Sequence, residues 1–111
     1  MTEKIFKLKA EEIKRIIPPM GGCMATDKIT VDGLKVDYMY REDSDFEKDS
    51  GWRFFSGTED QAYVDDPKNI MIYDVNTIAN YDESIIPYLH LPIGTELERI
   101  EETNQFQIIP G

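Results

Sequence analysis

Cysteine and histidine are almost missing from this chain, with one of each, Cys23 and His90, in 111 residues. A lone cysteine closes no internal disulfide, and one thiol with one imidazole falls short of a zinc centre. Nucleophilic catalysis is excluded on similar grounds, since an activated Ser or Cys needs a nearby base held by a third group. His90 lies between apolar residues in YLHLP and reads as structural, while Cys23 in GGCMA sits at the start of an expected strand and reads as a buried, inert thiol. No phosphate-binding G-x-x-x-x-G-K-[ST] loop occurs, and Gly21-Gly22 follows Pro18-Pro19 instead of a strand. No apolar run approaches the ~20 residues of a membrane-spanning helix. The stretch MTEKIFKLKAEEIKRII mixes both charges and lacks the apolar centre of a secretory signal. The expectation is a cytoplasmic, non-enzymatic protein with no catalytic, cofactor or metal residues.

Basic residues are also scarce, 12 Lys and Arg against 22 Asp and Glu, for a net charge of −10. Phosphate recognition needs Lys and Arg clustered on one face, so nucleic-acid and anionic-membrane partners are excluded. The charge is uneven. Residues 1–20 carry five basic and three acidic groups, whereas residues 41–66 carry three basic and nine acidic. Such a field steers a basic partner, and it also keeps a small protein soluble. A calcium loop does not fit. Counted from Asp43, the glycine position holds Lys48 and the bidentate acid position Phe54; counted from Asp45, they hold Ser50 and Ser56. The acids are too many and too dispersed to single out a glycosidase pair.

What is present is enough for one domain, residues 1–111, with 41% hydrophobic and 11% aromatic residues. Ala10, Ile13, Ile16 and Ile17 share a helical face that Pro18-Pro19 must end, which predicts an N-terminal helix after a short edge strand at Lys4–Leu8. Asp32-Gly33 suits a type I′ turn in ATDKITVDGLKVDYMYRE, predicting a hairpin that pairs Val31 with Leu34, Ile29 with Val36 and Asp27 with Tyr38. Trp52–Phe55 and a short buried IMIY segment, Ile70–Tyr73, read as further strands. Asp74 and Asp82 are placed to cap VNTIANY and ESII. ELERIEETNQFQII reads as a terminal hairpin. The sum is an α+β fold with a mostly antiparallel sheet of about 5–6 strands, an N-terminal helix and short helices after residue 74. An unpaired edge strand would serve a dimer as readily as another partner, so the oligomeric state stays open.

Several ordered strings carry a resemblance: ATDKITVDG, YMYRE, SGWRFFSG, the DDP–N–IYD segment and TIANYD. Together, from Gly22 to Glu98, the chain resembles the predicted immunity proteins of bacterial polymorphic toxin systems (immunity protein 33, formerly a domain of unknown function). The resemblance implies an α+β fold, no enzymatic activity and a protein partner, a cognate toxin that the domain binds and neutralises. It brings no set of binding residues. Many toxins that attack nucleic acids are basic, and an acidic inhibitor can imitate the phosphate backbone. Asp43, Asp45, Glu47, Asp49, Glu59, Asp60, Asp65 and Asp66 are the candidates for that field, with Arg53 and Phe55 as candidate contacts beside them. The alternative is a stand-alone regulatory or housekeeping interaction domain, for which a gene neighbourhood without a toxin would speak.

In DSGWRFFSG, strand alternation puts Trp52 and Phe54 on one face and Arg53 and Phe55 on the other. Trp52 and Phe54 are expected in the core and the acidic loops at either end of them in solvent. Native Trp52 emission should therefore be blue-shifted and poorly quenched by acrylamide; red-shifted, readily quenched emission would place it at the surface.

Overall fold

β-Strands run Gly22–Thr26 (β1), Tyr38–Arg41 (β2), Asp49–Phe55 (β3), Ile70–Asp74 (β4), Glu96–Arg99 (β5) and Phe106–Ile108 (β6). Short helices occupy Asp27–Thr30 (α1), Gln61–Asp65 (α2) and Val75–Tyr81 (α3), with 3-10 turns at Ala10–Glu12, Pro67–Asn69 and Glu83–Tyr88. This computed structural model describes residues 4–110, so the ends of the expected 1–111 domain lie outside the described residues. The strands form one sheet in the order β4-β1-β3-β2-β5-β6. Among the described residues, only the β1–β3 pairing is parallel; the other four are antiparallel. The fold is α+β, and the expected terminal hairpin is β5–β6.

One sheet face carries the core. Cys23 and Ala25 of β1, Trp52 and Phe54 of β3, Met39 of β2 and Leu97 of β5 are all buried there. They pack against Val75, Ile78 and Ala79 of α3 and against Ile85 and Leu89. Trp52 stacks on Phe54 and donates its indole N–H to the Leu89 carbonyl at 3.1 Å, so its polar atom is satisfied inside the core. Asp74 and Asp82 cap as expected, accepting the amides of Asn76 at 2.8 Å and Ser84 at 3.1 Å.

The predicted hairpin at Asp32-Gly33 does not form. A type I′ turn needs positive φ at both central positions, and only Gly33 has it, at +78°. Gly33 instead ends the α1 turn, where its amide bonds the Ile29 carbonyl and the Leu34 amide reaches Lys28. Ile29 and Val36 are both buried, yet not as strand partners. Asp82 takes the Val36 amide at 3.0 Å and Arg99 donates to the Val36 carbonyl at 2.9 Å, so side chains use the groups a hairpin ladder would need. Asp82 and Arg99 are themselves ion-paired at 2.5 Å and nearly buried.

The N-terminal helix also fails, beyond the single turn Ala10–Glu12. Asn76 and Asn80, one turn apart on α3, clamp residues 14–17 in an irregular conformation. Asn76 accepts the Ile16 amide at 2.9 Å and the Ile17 amide at 3.3 Å and donates to the Lys14 carbonyl at 2.9 Å. Asn80 takes the Lys14 amide at 3.1 Å. Lys4–Leu8 is no strand either: Lys7 makes one backbone bond, to Thr30. The IMIY segment is a strand but not a buried one, because β4 is the last strand of the sheet at its side; Ile72 is 55% exposed.

Asn76→Ala would leave the Ile16 and Ile17 amides without their acceptor and should destabilise the fold by roughly 1–3 kcal/mol. Urea denaturation reads the loss. Faster hydrogen exchange at Ile16 and Ile17, with the sheet amides unchanged, would locate it.

Candidate functional site

The second sheet face begins with a departure from regular strand geometry. Gly22 pairs with Asp49 and Met24 with Arg53, so β3 bulges between them. Gly51 makes the bulge possible: its φ is +91°, and a Cβ there would stand 2.1 Å from the Glu42 carbonyl oxygen. In a straight strand, residues four apart are ~13 Å apart. The bulge folds Asp49 back onto Arg53 instead. Arg53 Nη2 and Nη1 donate to Asp49 Oδ2 at 2.7 Å and Oδ1 at 3.0 Å, while Arg53 Nε donates to Glu42 Oε2 at 2.6 Å. The Arg53 and Asp49 side chains are 3% and 0% exposed, whereas Glu42 is 48% exposed. Asp49 also accepts the amides of Asp45 at 2.7 Å and Gly51 at 2.8 Å, which ties the β2–β3 loop to the strand. Burial alone would raise the Asp49 pKa; the hydrogen bonds from Arg53, Asp45 and Gly51, with the guanidinium charge, outweigh it and bring it down to about 2.

The remaining acids divide by role. Asp43, Asp45 and Glu47 are exposed on the β2–β3 loop. Glu59 points inward, accepting from Thr26 Oγ1 at 2.5 Å and from the amides of Ser56 and Gly57 at 2.8 and 2.9 Å. Burial works to raise its pKa, but these hydrogen bonds hold it below the ordinary carboxylate value. Asp60 and Asp66 are exposed caps, taking the amides of Tyr63 at 2.8 Å and Lys68 at 3.0 Å. Asp65 is exposed and accepts from Gln61 at 2.8 Å. The loop of Asp43, Asp45 and Glu47 and the segment of Glu59, Asp60, Asp65 and Asp66 therefore leave β3 from opposite ends. Arg53 and Asp49 are spent on each other.

Between the two acidic segments runs an aromatic patch. Phe55, half-buried, packs with Tyr38 and Tyr40 of β2, each pair of ring centroids 5.8 Å apart, and Tyr40 lies nearly parallel to Phe55 at 13°. Val64 of α2 overhangs the neighbouring part of the face, lining a cleft with Met24, Arg53 and Ile70. Beyond Tyr40, a second cleft of about 320 Å³ is bounded by Tyr38, Tyr40, Glu42, Glu96 and the Gly94-Thr95 turn. Tyr38 donates its hydroxyl to Glu96. Burial first, then this bond and the Glu96 charge, push the Tyr38 pKa up; burial and the Glu42 charge raise that of Tyr40.

Tyr38, Tyr40, Glu42 and Glu96 were not among the candidates read from the sequence. The alternation in YMYR held a signal for the tyrosines, but the hairpin register placed Tyr38 opposite Asp27. Glu96 joins them only through the pairing of β5 with β2, which no local pattern announces. Among the described residues, no three His, Cys, Asp or Glu side chains gather to hold a metal. His90 is exposed, and Cys23 is buried with its thiol pKa pushed up by burial.

Comparison with known proteins gives one family match: the model of the Immunity protein Imm33 domain covers residues 23–110. No curated protein and no solved structure matches the chain.

Arg53→Ala would strand the Asp49 carboxylate in the interior and should cost roughly 3–5 kcal/mol, whereas joint replacement by Asp49→Asn and Arg53→Met should cost much less. Because the Asp49 value in the folded protein lies below the ordinary 3.8, its stabilisation is complete above about pH 4 and is lost as pH falls toward about 2. Acid titration of unfolding should therefore show a shallower loss in Asp49→Asn than in the parent over that window.

Proposed function

The chain belongs to the Imm33 immunity protein family, and we propose that it binds and neutralises a cognate bacterial toxin by occupying its surface, without chemistry of its own. The family match over residues 23–110 is the observation that carries this reading. The face beside β3 supports it. Its aromatic patch is only partly covered, and Asp43, Asp45 and Glu47 stand exposed at one end with Asp60, Asp65 and Asp66 at the other. Of the basic groups in residues 41–66, Arg53 is buried against Asp49, Arg41 donates to the carbonyls of Ser50 and Leu91, and Lys48 is exposed. The outward charge of this region is therefore strongly negative, and the partner it favours is basic. Carboxylates at the rim accelerate encounter, while buried contacts nearer the centre set the lifetime of the complex. The toxin would be met in the cytoplasm, before or after delivery.

Co-expression with the toxic domain encoded beside the gene should restore growth, and the two proteins should co-elute on a sizing column. Unchanged toxicity with no complex would sink the proposal. Replacing Asp43 and Asp45 by Asn and Glu47 by Gln should slow association roughly tenfold at low ionic strength, with little change in dissociation.

A further inference from the structure

We propose that the cleft beside β2 receives an arginine side chain of the toxin, lying against the rings of Tyr38 and Tyr40 and reaching the carboxylates of Glu42 and Glu96. The proposal rests on the toxin-binding reading above and gives it a point of contact. Tyr38 and Tyr40 project from β2 on the side opposite buried Met39, and the register sets Tyr40 beside Glu96 and Tyr38 beside Glu98 on β5. Aromatic rings and carboxylates thus alternate across two neighbouring strands on a face that no helix covers at this point.

Charge decides the kind of occupant. Arg53, the nearest buried cation, faces two carboxylates, Asp49 and Glu42, so that group keeps a net negative charge. Glu96 adds another. Arg41 borders the cleft, but its guanidinium is turned to the far side of the strand, over the Trp52 ring and onto the carbonyls of Ser50 at 2.8 Å and Leu91 at 2.8 Å. The cleft therefore has aromatic surface and negative charge with no cation of its own free to fill it. A guanidinium matches both features. It is planar, stacks on a ring more readily than an ammonium does, and its forked donors can reach two carboxylates at once. The cleft, about 320 Å³ and open to solvent, has room for one long side chain.

Acetyl-Gly-Arg-Gly-amide titrated into the full chain tests the slot directly, with the lysine and norleucine peptides alongside. The arginine peptide should shift the ring signals of Tyr38 and Tyr40 and the amides of Gly94 and Thr95; lysine should do so more weakly and norleucine not at all. Tyr40→Leu and Glu96→Gln should each weaken the arginine response roughly tenfold, while Tyr40→Phe, which keeps the ring, should retain it. If Tyr40→Leu loses its dispersed amide spectrum, Glu96→Gln and Tyr40→Phe carry the comparison. Equal responses to all three peptides, or shifts confined to the Asp43–Glu47 loop, would overturn the slot. The same variants in the toxin assay separate the two ideas. A toxin bound equally well by Tyr40→Leu and Glu96→Gln leaves neutralisation standing and removes the slot. A peptide seated in the cleft with no toxin complex removes neutralisation and keeps the slot.

Discussion

The buried pairing of Arg53 with Asp49 is the constraint around which this molecule is arranged. A guanidinium in the middle of a central strand is tolerable only if carboxylates meet it, because the desolvation of an unpaired charge costs several kcal/mol. Asp49 lies four residues away on the same strand, out of reach in regular geometry, so the chain must kink between them. Gly51 is the residue that permits the kink. The register of β2 on β3 sets Glu42 beside the Arg53 Nε, and Asp49 takes the Asp45 amide, so the charged pair organises the loop that leads into β3 as well as the strand itself.

Elsewhere, polar side chains take over what regular structure leaves undone. Segments 14–17 and 34–37 belong to no helix or strand, yet Ile17 and Val36 reach the core, and the side chains of Asn76, Asn80, Asp82 and Arg99 bond the backbone of Lys14, Ile16, Ile17 and Val36. Among the described residues, no buried side-chain polar atom lacks a hydrogen bond. A domain with short helices can afford irregular cover only on that condition, since an unmet buried amide costs about as much as a lost hydrogen bond. The stable layer is the sheet with α3 behind it; the irregular cover is held to it by side chains.

The sequence was most legible where local chemistry and burial agreed. Trp52 and Phe54, the caps at Asp74 and Asp82 and the terminal hairpin could all be read from alternation and capping residues. It misled where one local signal had two structural meanings. Gly33 supplies a positive φ, which ends a helical turn as well as it makes a hairpin, and the choice lay with Asp82 and Arg99 far along the chain. Ile13, Ile16 and Ile17 suggested a helix, while Asn76 and Asn80 offered their segment a better set of partners. At the candidate site, the exposed acids were visible from composition. The bond from Thr26 to Glu59 and the meeting of Tyr40 with Glu96 join distant segments, which no short window contains, while Asp49 and Arg53 lie only four residues apart but meet through a bulge that strand alternation does not foresee.

The two-residue repeat of β2 and β5 divides labour between neighbouring positions. Met39 and Leu97 point into the core, and their immediate neighbours Tyr38, Tyr40 and Glu96 point away from it. Substitution at one set need not disturb the packing of the other, because each lies on its own side of the backbone. Outward residues can therefore be exchanged to alter what this face binds while the inward set preserves the scaffold.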